Sequence, residues 1–517
     1  MKLNYKRTIL VGFAFFLISA FWQAYDATIP VILTNKFGMS QTWSGVIMAL
    51  DNVLAVFLLP LFGTLSDKCR GKRGKRTPFI TLGTTVAAIA LLCLSFVDSA
   101  QLQNISAVSA IDDKAALQVI YQSQANDTLL TPEGERFVLQ EVFTEEAFTS
   151  ITSKITDPET NKEITNPDYT NYVVPARQAY AWEATAKSPS TLIFFVGILL
   201  ILLLAMATFR SPAVALMPDV TVKPLRSKAN AIINLMGTAG GILVLILGMV
   251  FATSAVHNAL MHYTVFYGVI AAIMIGALLV FLVTVRENLW AQQMREDSVR
   301  FGIEEEEADE GQKRSLSKGE KRSLLLILLS IALWYFGYNA VTSKYAVYAG
   351  NILDKDYNTT MLLAQAAAIV AYLPAGMVAS KIGRKKTILG GVVLLAGVFL
   401  AAGFMRAGSP TWLMNVFFAV AGIGWATINV NSFPMAVEMC SGADIGKYTG
   451  FYYTASMTAQ IITPMLSGFL MDQMGMRVLF PYATVFVALA FVTMLLVQHG
   501  DNKVVAKTGL EALDIDD

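Results

Sequence analysis

Asp26, Asp51 and Arg210 each stand inside a long apolar stretch. A charge held in such surroundings is costly and marks a functional candidate. Asp26 lies about eight residues, roughly 12 Å of helix, from one end of its stretch. Asp51 lies about as far from the same side's end of the next, so the two carboxylates share a depth. Around Asp26, Trp22 is one turn away on the same helical face. Gln23 and Tyr25 add polar edges, and Pro30 lacks the N–H that would bond the Asp26 carbonyl. An ionised carboxylate accepts hydrogen bonds from two hydroxyls at once, and an aromatic face packs on the apolar side of a sugar ring. Away from bulk water a carboxylate also takes up a proton more readily. Asp26 is therefore the candidate for substrate and proton, and Asp51, beside Asn52, for coupling or gating. A structural bond from Asp51 to a neighbouring helix is the alternative. Arg210, followed by Ser211 and Pro212, must be paired. Asp67, a cavity carboxylate or an anionic substrate would serve, in a gating or coupling role. A snorkelling structural arginine is the alternative. Further along, Trp334, Tyr335, Tyr338 and Asn339 form a polar aromatic cluster. Trp425, Asn429 and Asn431, then Gln460 and Thr463, add similar groups. Each alone reads as packing; lining one cavity, they suit a neutral polyol.

The elements that must position these residues are membrane spans. The chain has 517 residues, 55% hydrophobic and 15% charged, against about 25% charged in soluble domains. A bilayer core needs roughly 20 apolar residues per helix. Twelve segments qualify: residues 8–33, 43–66, 78–98, 189–217, 229–252, 262–285, 323–346, 358–380, 387–405, 411–437, 447–471 and 478–498. The first is too long for a signal peptide and no small-residue cleavage site follows it. The expected fold is an all-α membrane protein of twelve transmembrane helices in two parallel six-helix halves. The expected divisions are 1–98 (helices 1–3), 99–188 (an extracytoplasmic insert between helices 3 and 4), 189–285 (helices 4–6), 286–322 (a cytoplasmic linker), 323–498 (helices 7–12) and 499–517 (a cytoplasmic tail).

Lys and Arg crowd the loops on one side. Lys2, Lys6 and Arg7 precede span one, and Lys68, Arg70, Lys72, Arg73, Lys75 and Arg76 follow span two. Lys223, Arg226 and Lys228 follow span four, and Lys381, Arg384, Lys385 and Lys386 follow span eight. The positive-inside rule makes this side, with both termini, cytoplasmic. Localisation in the plasma membrane is expected. The linker carries Glu304, Glu305, Glu306 and Glu307 and reads as a solvated helix or tether. The insert has 13 acidic and 6 basic residues. A small folded cap, a partner site and a floppy loop are the options. A partly ordered cap is favoured, because Tyr121, Phe137, Phe143, Phe148, Tyr172, Tyr180 and Trp182 give it something to bury. Asn104-Ile105-Ser106 and Asn126-Asp127-Thr128 fit the glycosylation pattern, which is common by chance.

The chain also repeats itself. Tyr25-Asp26-Ala27 matches Tyr338-Asn339-Ala340 at an offset of 313, and Gly63 matches Gly376 at the same offset. Pro218-Asp219 lines up with Val437-Glu438 at 219. The offset falls by about the insert's own length, which supports two parallel halves with one insertion.

The turn after span two reads Gly63-Thr64-Leu65-Ser66-Asp67-Lys68-Cys69-Arg70-Gly71-Lys72-Arg73-Gly74-Lys75-Arg76-Thr77-Pro78-Phe79-Ile80. It resembles the loop signature of the major facilitator superfamily. Its long basic stretch before Pro-Phe-Ile looks like the branch of sucrose/proton symporters, maltose permeases and related glycoside–cation symporters. The second-half copy is degenerate, with Ser380 where Asp67 stands. The resemblance implies a cytoplasmic gate at Asp67, Arg73, Lys75, Arg76 and Arg384 that breaks and reforms in alternating access. A topogenic basic loop with a surface salt bridge is the alternative. Sodium-using relatives place an Asp pair deeper in span two, where this chain has Ala55 and Leu59, so protons are favoured. The span-four Arg of the sucrose symporters lies closer to the acid matched by Asp219, so the role of Arg210 does not carry over directly. Asp219 and Glu438 read as gate or cap residues.

The expected function is secondary active transport, by proton-coupled symport of a maltose-like or sucrose-like sugar. Its partners are the sugar, the proton and the lipid bilayer, and the expected unit is a monomer. Export of a small metabolite or drug is one alternative; a membrane sensor using the insert is another. Net charge of +1 implies no nucleic acid. Three scattered cysteines and three histidines offer no metal site, and no cofactor is expected. No nucleophile elbow, zinc-protease motif or phosphate loop supports an enzyme.

Overall fold

The computed structural model describes residues 3–156, 163–222, 225–300, 316–437 and 445–499. Glu438, the run Glu304–Glu307 and the tail beyond His499 lie outside them. The first half is built from Tyr5–Asn35 (α1), Gln41–Lys68 (α2) and Thr77–Asn104 (α3). It continues, after an inserted module, with Ser190–Val220 (α8), Arg226–Val250 (α9) and Thr264–Thr284 (α10). The module holds α4 (Lys114–Gln124), α5 (Leu139–Val142), α6 (Glu145–Thr149) and α7 (Val174–Lys187). It also holds two antiparallel hairpins, β1–β2 (Thr128–Leu130, Arg136–Val138) and β3–β4 (Lys154–Thr156, Glu163–Thr165). Glu287–Arg300 (α11) leads to the second half: α12 (Lys318–Tyr348), α13 (Tyr357–Ile382), α14 (Arg384–Ala402), α15 (Thr411–Val437), α16 (Ile445–Met474) and α17 (Leu479–Leu495).

Among the described residues, ten of these helices are long and apolar enough to cross a membrane, against the twelve expected; α13 and α16, of 26 and 30 residues, are long but not among the ten. Several run past the apolar segments that announce them. α3 extends to Asn104 and α1 to Asn35, because the inserted module and the neighbouring helices cover their ends. The outer faces remain apolar, as lipid requires. On α3, Leu82, Ile89 and Phe96 recur every seven residues and are exposed, whereas Ile80, Ala87 and Leu94 are buried.

Packing repeats between the halves. In the first half α1 lies against α9 and α10, α3 against α8 and α10, and α2 against α8. In the second, α12 lies against α16 and α17, α14 against α15 and α17, and α13 against α15. These are the same pairs by order within each half. Each half has its own apolar core, and the inserted module a third built around Ile120, Phe148, Tyr169 and Val173. The halves meet where α2 packs on α16, α9 on α13 and α1 on α12.

The meeting is closed on the face that carries the module. Gly45 of α2 faces the Pro464 carbonyl, and Gly468 of α16 faces the Gln41 carbonyl, at distances that leave no room for a side chain. Asp472 accepts from the Gln41 and Thr42 amides at 2.8 and 2.7 Å, capping α2 from the opposite half. Lys344, fully buried in α12, donates to the Gln41 carbonyl at 2.6 Å. Asn358 at the start of α13 donates to Thr253 and Ser254.

Candidate functional site

Below that seal the halves diverge around a cavity of about 1320 Å³. It runs from Gln23 and Asp26, midway along α1, to Asp67 and Pro218 near the ends of α2 and α8, on the face where α1 begins and α17 ends. Trp22, Gln23, Asp26, Arg210, Tyr338, Trp425 and Asn429 all line it. Tyr338 and Trp425 stack face to face, centroids 3.7 Å apart and planes 4° apart. Both line the cavity as part of the second half's side of it. Gln23 accepts from Gln365 Nε2 at 2.6 Å and donates to the Tyr357 hydroxyl at 3.2 Å, so its amide bridges α1 and α13 at the cavity's closed end.

Behind Asp26 lies a smaller polar chamber of about 210 Å³. Tyr25, Asp26, Asp51, Asn52, Arg210, Asn339 and Gln460 line it. Asp51 accepts from Asn52 Nδ2 at 2.7 Å. Asp26, Trp22 and Arg210 line both spaces. The Arg210 guanidinium sits over the Trp22 ring at 5.8 Å, a contact that orients a cation without neutralising it. Three polar atoms here are shielded and without a hydrogen-bond partner: Trp22 Nε1, the Tyr25 hydroxyl and Asn339 Nδ2. Buried donors left open in this way are costly unless something binds them. The chamber thus joins two acids, one cation and several unsatisfied donors, a set able to hold a hydroxylated guest or relay a proton.

Trp334 departs from the expectation. It lies one turn before Tyr338 but is fully buried in the apolar core of the second half and does not line the cavity. A large apolar ring gains more from that core than from a water-filled space.

The loop between α2 and α3 forms an ion-pair knot. Arg76, almost fully buried, donates to Asp67 and Ser66, and through Nε to Asp219 at 2.8 Å. Lys75 reaches Asp219 at 3.2 Å and Asp67 at 4.0 Å. Arg73 is exposed, and Arg384 opens α14 in the second half. The sequence gives no hint of Glu287. Its carboxylate accepts from the Arg76 and Thr77 amides, both at 2.8 Å, and from the Thr77 hydroxyl at 2.7 Å. It caps α3 from the start of α11. Gly74, at φ +133°, passes directly against it, where a side chain would collide.

The Major Facilitator Superfamily sequence pattern matches residues 179–365 and 354–513. The chain belongs to the major facilitator superfamily. A second pattern, described as MFS/sugar transport protein, matches residues 10–107. Proteins of this superfamily are multi-pass membrane transporters, not enzymes. The MFS-type transporter ppzB of Metarhizium majus is 26% identical over 134 residues, 26% of this chain and 29% of that one. Sucrose transport protein SUC4 of Arabidopsis thaliana is 28% identical over 74 residues, 14% of each chain. The matches therefore span less than a third of either relative. Among solved structures, the inward-open xylose transporter XylE from E. coli superposes with a TM-score of 0.58 at 14% identity, covering 95% of this chain and 96% of that one. The nucleoside transporter NupG gives 0.56 at 13%, covering 95% and 100%. At these identities the likeness is one of fold.

In this major facilitator chain, the groups that a sequence reading singles out and the structure brings together are Trp22, Tyr25, Asp26, Asp51, Arg210 and Asn339, around one chamber. Gln365, Thr238 and Thr342 line the main cavity without having drawn notice. Their signal was weak, because lone hydroxyls and amides are common in membrane helices. Lys344 had a signal, a charge inside a span, but it lies near the span's end, where snorkelling is the ordinary reading.

Proposed function

We propose that this protein is a proton-coupled symporter of a disaccharide or small oligosaccharide, maltose-like or sucrose-like, working by alternating access. The observation that carries the reading is Asp26, which lines both the wide cavity and the small chamber shared with Asp51 and Arg210. A carboxylate in that position can accept sugar hydroxyls on one side and exchange a proton on the other. The stacked Tyr338–Trp425 pair supplies the apolar surface a pyranose ring needs. Asn429, Gln365 and Asn339 supply amides for a neutral guest. The matched sugar-transport pattern and the likeness to a sucrose transport protein support a sugar. The Lys and Arg bias of the loops supports a cytoplasmic open face and hence an inward-facing conformation, and the proposed location is the plasma membrane. The Asp67–Arg76–Asp219 knot then serves as the cytoplasmic gate's latch, which breaks and reforms in the cycle.

Purified protein in liposomes should take up labelled disaccharide when an inward proton gradient is imposed. Asp26→Asn should lower that uptake at least tenfold while the protein stays folded. Uptake indifferent to both the gradient and the substitution would overturn the coupling.

A further inference from the structure

We propose that the module inserted between α3 and α8 is an intramolecular clasp, which holds the two halves together on its own face and biases the protein toward the conformation seen here. The inference rests on the alternating-access reading and adds a regulator to it.

The module is anchored in the first half. Leu260, from the turn between α9 and α10, is part of its core. Gln178 of α7 donates to Asn35 at the end of α1, at 2.8 Å, and Gln101 of α3 donates to Thr185 at 2.9 Å. Gly38, at φ +66°, lies against the α7 backbone at Gln178 and Trp182. With a shared core and such contacts the module moves with the first half.

It nevertheless reaches the second half at two separate places. The β1–β2 turn meets the turn between α16 and α17. There the Met476 amide donates to the Pro132 carbonyl at 2.7 Å, and Arg477 pairs with Glu133. Gly134 and Gly475, both at positive φ, pass backbone on backbone; a Cβ on Gly134 would lie 2.8 Å from the Gly475 nitrogen. The second place is the end of β4. Thr165 donates through its amide, at 3.2 Å, and its hydroxyl, at 2.5 Å, to the carboxylate of Asp354. Asp354 is held in the left-handed region at φ 50° between α12 and α13.

When the halves rock open on this face, α12, α13 and α16 move away from α2 and α9, and both contacts lie across the gap. Each must break, or the module must leave the first half. The contacts are polar and partly exposed, so they are weak enough to release and re-form in every cycle. That distinguishes a clasp from a permanent tie.

The test reads the closed seam directly. Gln41 is buried, and its backbone is bonded to Lys344 and Asp472 of the other half. A Gln41→Cys variant, with Cys69, Cys93 and Cys440 replaced by serine, is labelled with a membrane-impermeant maleimide in liposomes. Glu133→Ala with Asp354→Ala should raise the labelling rate about threefold to tenfold, the range that two exposed polar contacts supply. An unchanged rate in a folded variant overturns the clasp. If the alanine variant does not fold, Glu133→Gln with Asp354→Asn must move labelling in the same direction, or the clasp fails. Faster labelling without gradient-driven sugar uptake in either protein refutes the symport reading and leaves the clasp standing.

Discussion

Replacing Asp98 with asparagine should destabilise the protein more than any surface change, because it strands a buried ammonium. Lys36 and Asp98 are both fully buried, with Lys36 Nζ 2.6 and 2.7 Å from the two carboxylate oxygens. Lys36 also donates to the Met261 carbonyl at 2.7 Å and lies 4.7 Å from the centre of the Tyr263 ring. The pair ties α1, α3 and the turn before α10 beneath the inserted module. Removing one partner of a buried ion pair costs about 3–5 kcal/mol, since the remaining charge stays dehydrated. The carbonyl and the ring are left to compensate, and neither carries a full charge. Carried to this chain length, each kcal/mol lowers the melting temperature by about 1–2 °C. Asp98→Asn should therefore lose about 3–10 °C in a thermal unfolding scan of purified protein. Lys36→Met should behave similarly. The double variant Lys36→Met with Asp98→Asn should recover most of the loss, because no uncompensated charge remains. A loss under 2 °C for Asp98→Asn, or a double variant as unstable as the sum of the singles, would refute the reasoning.

Glu287→Ala removes the shared acceptor of two amides and a hydroxyl at the start of α3. The lost cap and stranded donors should cost about 2–4 kcal/mol, read as a lower melting temperature and faster trypsin cleavage in the 69–76 loop. Trp425→Ala removes half of the stacked pair and should raise KM for the proposed disaccharide substrate about threefold to tenfold with kcat little changed, as aromatic contacts worth about 0.5–1.5 kcal/mol imply. In the inserted module, burial holds the Tyr169 phenol above its usual value of 10, with Arg177 opposing. The folded state therefore favours the neutral phenol. That stabilisation is complete below pH 10 and is lost as pH rises toward the folded value. Melting temperature should fall faster above pH 10 in the wild type than in Tyr169→Phe.

The spans were legible because lipid demands long apolar runs, and a lone carboxylate in such a run, as at Asp26 or Asp51, is conspicuous. The groups that close the fold were not. Lys36 and Asp98 sit at the edges of apolar runs, where a charge ordinarily meets water. Only the longer helices and the covering module make them interior. Glu287 hides in a charged linker, and its partners are more than two hundred residues away. Trp334 and Tyr338 look alike in sequence. Packing of the second half decides which of them faces the cavity.

The Glu287 cap also bears on how the chain is made. The amides it satisfies belong to Arg76 and Thr77, 211 and 210 residues earlier. At about 5–20 residues per second, the ribosome takes roughly 10–40 s to cover that distance. Through that interval α3 waits with the amides of its first turn uncapped. The first half is finished only when a segment beyond its last helix has been synthesised, so a truncation after α10 would leave six helices without the clip that completes them.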